Sequence, residues 1–126
     1  MKKWISVLLA ALLLCGCGAT NEKEPAYMNI TPVEAKELMD TRENYVILDV
    51  RTQEEYDEGH IPGAILIPDY EVAEKAPVVL KDKNQLILVY CRSGRRSKLA
   101  AQELEKLGYT NVKEFGGIID WPYEVE

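Results

Sequence analysis

Histidine is nearly absent from this chain of 126 residues, with His60 the only one. Chemistry built on paired imidazoles is thereby excluded. Cysteine is scarce as well: Cys15 and Cys17 sit at the start, and Cys91 is the only one in the body of the chain. One thiol and one distant imidazole do not make a ligand set, so neither a metal nor a cofactor is expected. Cationic residues are outnumbered, 15 Lys and Arg against 21 Asp and Glu, giving a net charge of −6. A basic face for nucleic acid is missing, apart from one cluster of arginines. There is no internal repeat or low-complexity segment. The apolar run from Trp4 to Leu14, broken only by Ser6, falls well short of the ~20 residues a membrane span needs.

That run follows Lys2 and Lys3, which is the pattern of a secretory signal. The residues after it, Leu14-Cys15-Gly16-Cys17, resemble the lipobox of bacterial lipoproteins. The resemblance implies that residues 1–16 are removed and that Cys17 is lipidated as the new N-terminus. A plain signal peptide cut nearby is the alternative, and both readings put the protein outside the cytoplasm. Acyl chains on Cys17 would hold it at the outer face of a membrane. Residues 17–26, small, polar and charged after the cysteine, read as anchor and flexible tether. Residues 27–126 then form one domain, enough for a single compact core.

Processing of this kind leaves Cys91 as the only free thiol, so no intramolecular disulfide is possible. It stands in Tyr90-Cys91-Arg92-Ser93-Gly94-Arg95-Arg96-Ser97, directly after an apolar run and before a helical pattern. Three cationic side chains and a helix N-terminus favour the thiolate, which is the nucleophilic form of the sulfur. A thiol stabilised in this way needs no general base. Gly94 supplies the conformational freedom for a tight curl, in which backbone N–H groups can converge into an anion-binding nest. A local positive spot on an acidic body suits a small anionic ligand.

Strand and helix signals alternate from Tyr27 onward. Strands are expected over residues 27–30, 45–50, 64–67, 85–90 and 112–115. Thr31-Pro32-Val33-Glu34 and Thr52-Gln53-Glu54-Glu55 are capping boxes that open helices, and Gly59 can end the second. Residues 69–74 read as a helical turn or two stopping before Pro77. A helix over residues 95–107 would share Leu99, Ala100, Leu104 and Leu107 on one face, with Gly116-Gly117 a turn further on. This alternation predicts an α/β fold with a parallel sheet covered on both faces. Ligands in such folds bind beyond the carboxyl ends of the strands, where Cys91 lies.

Four pieces, in order, resemble a single-domain rhodanese: Asp49-Val50-Arg51, Gly59-His60-Ile61-Pro62-Gly63-Ala64, the loop Cys91 to Ser97, and Gly116-Gly117 with Trp121. The resemblance covers roughly residues 28–122 and implies a five-stranded parallel sheet between helices. It implies a sulfurtransferase that moves a sulfane sulfur from a thiosulfate-like anion, through a persulfide on Cys91, to cyanide or a thiol, acting as a monomer. The backbone from Arg92 through Ser93, Gly94, Arg95 and Arg96 to Ser97 would cradle the sulfur, and the three arginines would bind the sulfonate. Asp49 and Arg51 would tie the second strand to neighbouring loops, and His60 would fasten a loop by hydrogen bonds. An anchored carrier or sensor of sulfur, without turnover, is the second reading. Rhodanese-fold phosphatases and arsenate reductases are the third, but they place five residues between Cys and Arg, with His before the Cys. Here Ser97 and Tyr90 occupy those positions, leaving the loop one residue short, and a tight loop favours sulfur over a larger oxyanion.

Overall fold

The computed structural model describes residues 27–126. The signal, the tether and Cys17 lie outside the described residues. Five parallel strands form one sheet: β1 (Tyr27–Asn29), β2 (Tyr45–Asp49), β3 (Ile65–Leu66), β4 (Leu86–Cys91) and β5 (Val112–Gly117), in the order β1-β5-β4-β2-β3. Four helices connect them: α1 (Pro32–Thr41), α2 (Gln53–Glu58), α3 (Val72–Val79) and α4 (Arg95–Lys106). Both capping boxes form as expected, at Thr31 with Glu34 and at Thr52 with Glu55. The α/β fold with a five-stranded parallel sheet is the one the sequence pattern predicts.

β4 is the spine of the sheet, buried at every residue. Its side chains alternate between two cores, because successive residues of a strand point to opposite faces. Ile87, Val89 and Cys91 pack with Val72 and Ala76 of α3 and with Ala100, Ala101 and Leu104 of α4. Leu86, Leu88 and Tyr90 pack with Ala35 of α1, with Ile61, and with Phe115 and Trp121. Tyr90 and Cys91 are therefore neighbours in sequence that belong to different faces.

Three local expectations are corrected. The helix predicted to stop before Pro77 instead runs through it, from Val72 to Val79, after a short 3₁₀ turn at Asp69–Glu71. Burial of Val72 and Ala76 against the sheet outweighs the hydrogen bond that Pro77 cannot donate. Leu99 is 53% exposed rather than part of the buried face. That face is Ser97, Ala100, Ala101 and Leu104, spaced i, i+3, i+4 and i+7. Gly116 and Gly117, expected as a turn beyond the last strand, are instead its final two residues. Val89 faces Glu114 while Cys91 faces Gly117, so β5 carries one extra residue there, a bulge beside the Cys91 loop.

Candidate active site around Cys91

Cys91 ends β4, and the chain curls through Arg92 and Ser93 to Gly94, which caps α4 with φ of 106°. This left-handed conformation is one that glycine adopts without strain. The curl turns the Gly94 N–H back to donate to Cys91 Sγ at 3.0 Å. Among the described hydrogen bonds it is the loop amide that reaches the sulfur. Gly117 fixes the loop from below: a Cβ there would lie 1.8 Å from the Arg92 carbonyl oxygen, so only a hydrogen fits.

Ser97, in the first turn of α4, is fully buried, and its Oγ lies 3.4 Å from Cys91 Sγ. The hydroxyl has three acceptors within reach and a single proton to give: Gly94 O at 3.0 Å, Gly116 O at 3.3 Å and Glu114 Oε1 at 2.6 Å. The short contact to the carboxylate is the one expected of a charge-assisted bond. Glu114 is 2% exposed, and the same oxygen also accepts from the Gly116 N–H at 2.8 Å. Its place in the site was missed in the sequence. The signal was present in the period of β5, where Val112 points to the α4 core and Glu114, two residues on, must point the same way.

The three arginines divide. Arg92 and Arg95 are exposed, and neither side chain has a hydrogen bond or ion pair among the described residues. Arg92 borders a surface groove of about 560 Å³ shared with Glu55, Glu58, Ile118 and Ile119. Arg96 instead forms a two-pronged pair with Glu55 across to α2, at 2.6 and 2.9 Å. That bond to Arg96 holds the Glu55 carboxyl down at about 2, below the usual carboxylate range. The same Glu55 closes the α2 capping box, so one side chain serves two elements.

Asp49, Arg51 and His60 lie on the Tyr90 side. Arg51 Nε and Nη2 donate to Asp49 at 2.7 to 3.1 Å, and Nη2 also donates to the Gly59 carbonyl at 2.7 Å. The Tyr90 hydroxyl donates to Asp49 Oδ2 at 2.7 Å and accepts from the Ile61 N–H at 3.0 Å. Burial, and then the bond to Asp49, push the Tyr90 phenol well above its ordinary value, so it stays a neutral donor. His60 stacks on Tyr56 at 3.8 Å between ring centroids, and its Nδ1 is 3.0 Å from the Tyr56 carbonyl, where it must be the donor. Its backbone pairs in both directions with Glu126. These contacts knit the ends of β2 and β4 to the loop at 59–62.

A parallel α/β sheet that ends in a buried thiol, capped by a glycine curl and flanked by two arginines without partners among the described residues, defines a thiol-centred α/β domain. The chain belongs to the Rhodanese-like domain family, whose profile matches residues 31–122. It is 44% identical over 73 residues to the thiosulfate sulfurtransferase PspE of Escherichia coli, covering 58% of this chain and 70% of that protein. It is 35% identical over 120 residues to the putative sulfur carrier protein YrkF of Bacillus subtilis, covering 94% of this chain but 64% of that longer protein. Among solved structures it resembles an E. coli rhodanese with anions, at a TM-score of 0.62 and 39% identity, covering 65% of this chain and 96% of that one. At the level of the family, these relatives support sulfurtransferase activity.

Proposed function

We propose that the protein transfers sulfane sulfur from a thiosulfate-like anion to a thiophilic acceptor through a persulfide on Cys91. The observation that carries this reading is the buried Cys91 sulfur, bonded by the Gly94 N–H at the start of a loop whose Arg92 and Arg95 have no partner among the described residues. In the first half-reaction the Cys91 thiolate attacks the outer sulfur of the donor. The donor's S–S bond breaks, sulfite leaves with the electron pair, and the outer sulfur stays on Sγ. In the second, cyanide or a thiolate attacks that terminal sulfur, and the Cys91 thiolate is released. Arg92 and Arg95 bind the sulfonate end, as charge-assisted donors to oxyanions do. Arg96 acts on the site through its hold on α2. Asp49, Arg51 and His60 frame the loop and take no part in the bond changes.

The relative named as a sulfur carrier favours a second reading, in which sulfur is held and passed on once to a dedicated partner. Turnover separates the two. Purified protein given thiosulfate and cyanide is expected to release many equivalents of thiocyanate per Cys91, and Cys91→Ser none. One equivalent bound without release would leave the carrier reading standing.

We also propose that the domain acts outside the cytoplasm as a monomer, held to a membrane by acyl chains on Cys17. The location and the anchor rest on the sequence of residues 1–26 alone, and the monomer on the family resemblance; no helix among the described residues is long and apolar enough to cross a membrane. Mass spectrometry of the mature protein is expected to find an acylated Cys17 as its first residue. An unmodified N-terminus further along would overturn the anchor.

A further inference from the structure

The proposed reaction gives no part to the buried carboxyl of Glu114, which lies on the Cys91 side of the sheet. It stands two hydrogen bonds from the sulfur, along a continuous path from Cys91 Sγ to Ser97 Oγ at 3.4 Å and from Ser97 Oγ to Glu114 Oε1 at 2.6 Å. Cys91 and Ser97 are fully buried and Glu114 is 2% exposed, so no part of this path faces water. Two anions so close together in a dry interior repel strongly, and one of them keeps a proton that the other would otherwise lose. Among the described residues the Ser97 hydroxyl bridges them, and it can accept from one side while donating to the other.

We propose that Cys91 and Glu114 share one proton through the hydroxyl of Ser97, so that the pair carries a single negative charge between the loss of its first proton and the loss of its second. In one form the thiol donates to Ser97 Oγ, and Ser97 donates to an ionised Glu114. In the other, the Sγ–H bond has broken and its proton has become the hydroxyl proton of Ser97. The former hydroxyl proton then sits on Glu114 Oε1. The two forms contain the same atoms and the same charge, so no outside base is consumed. Cys91 becomes a thiolate without sending a proton through the loop. Glu114 is thus a positioning residue that acts on the sulfur through Ser97. This role deepens the sulfur-transfer reading and presumes Cys91 as its nucleophile.

The other charged groups near the pair lie on the loop and on neighbouring elements. Arg92 is in the loop, and Arg95 and Arg96 open α4. Glu55 on α2 is locked to Arg96, and Asp49 to Arg51 at the end of β2. Asp69 of the 3₁₀ turn lies close enough to act on Arg96. None of these groups touches Ser97 among the described hydrogen bonds.

The test is the pH profile of Cys91 alkylation by iodoacetamide, which needs no sulfur transfer and so stands apart from the turnover assay. The unsubstituted protein is expected to show two rises, separated by about one pH unit or more, as coupled groups do. Glu114→Gln keeps an oxygen for Ser97 and for the Gly116 N–H but removes the charge. It is expected to collapse the profile to one rise, with a midpoint at least about one unit below the upper rise of the unsubstituted protein. A purely structural Glu114 would leave the two profiles superimposed, and that result overturns the proposal. A single rise in the unsubstituted protein overturns it too, whether or not the variant folds. Loss of turnover with the two-rise profile intact would sink the sulfur-transfer reading and leave the shared proton standing.

Discussion

Tyr90 and Cys91 are adjacent in β4 and project into opposite faces of the sheet, and the two polar regions they head are built on opposite rules. Around Tyr90 the carboxylate of Asp49, the guanidinium of Arg51, the phenol and the carbonyl of Gly59 match donor for acceptor. Around Cys91 the numbers do not match. One hydroxyl proton faces three acceptors, and two arginines face none among the described residues. A closed network resists change, since every displacement breaks a bond in a place water cannot reach. An unbalanced one has capacity left for a ligand or a proton. The Tyr90 side acts as the frame and the Cys91 side as the working surface.

The comparison breaks first at Asp49. Asp49→Ala would remove the acceptor that Arg51 and Tyr90 share, leaving the buried Arg51 guanidinium with the Gly59 carbonyl alone and the Tyr90 proton without an acceptor. Urea unfolding should register a loss of about 3–5 kcal/mol, a large part of what a domain this size has. A loss near zero would mean that the frame is no frame. Gly117→Ala comes next. Its methyl group would overlap the Arg92 carbonyl, so the loop must shift. The expected result is about 1–3 kcal/mol of destabilisation together with lost turnover, and a variant with unchanged turnover would show that loop position is not critical.

On the working side, Arg92→Ala and Arg95→Ala should each raise the KM for thiosulfate about tenfold, the loss of one charge-assisted bond, with no change in stability. Arg96→Ala should do the reverse, costing stability while leaving KM nearly unchanged. The smallest effect is a pH dependence. Glu55 has a carboxyl at about 2 in the folded protein against an ordinary 4.5, so its pairing with Arg96 stabilises the fold fully above about 4.5 and is lost as pH falls toward 2. With both side chains partly exposed, the contribution is about 1 kcal/mol. The stability gap between the unsubstituted protein and Arg96→Ala should therefore close between pH 4.5 and pH 2. A gap of constant size would contradict the pairing.

Much of the frame was legible because its signals are local. The two capping boxes, the glycine before α4 and the apolar β4 each declare themselves within a few residues. What was not legible depends on register and on distant partners. Leu99, expected on the buried face, is exposed, and Glu114 is buried, because burial follows the exact phase of a helix or strand, which composition does not fix. Pro77 sits inside a helix because of what lies beneath that helix. Glu55 and Arg96 are 41 positions apart, and only the fold brings α2 and α4 within a bond's reach. Arg96 read as one of three equal cations for that reason.

The resting place of the transferred sulfur is the point on which the proposed reaction depends. Protein incubated with thiosulfate, freed of excess donor and digested, should yield the Cys91 peptide carrying one additional sulfur atom, and cyanide added before digestion should remove it. An unmodified Cys91 peptide from protein that turns over, or turnover that survives Cys91→Ser, would contradict it.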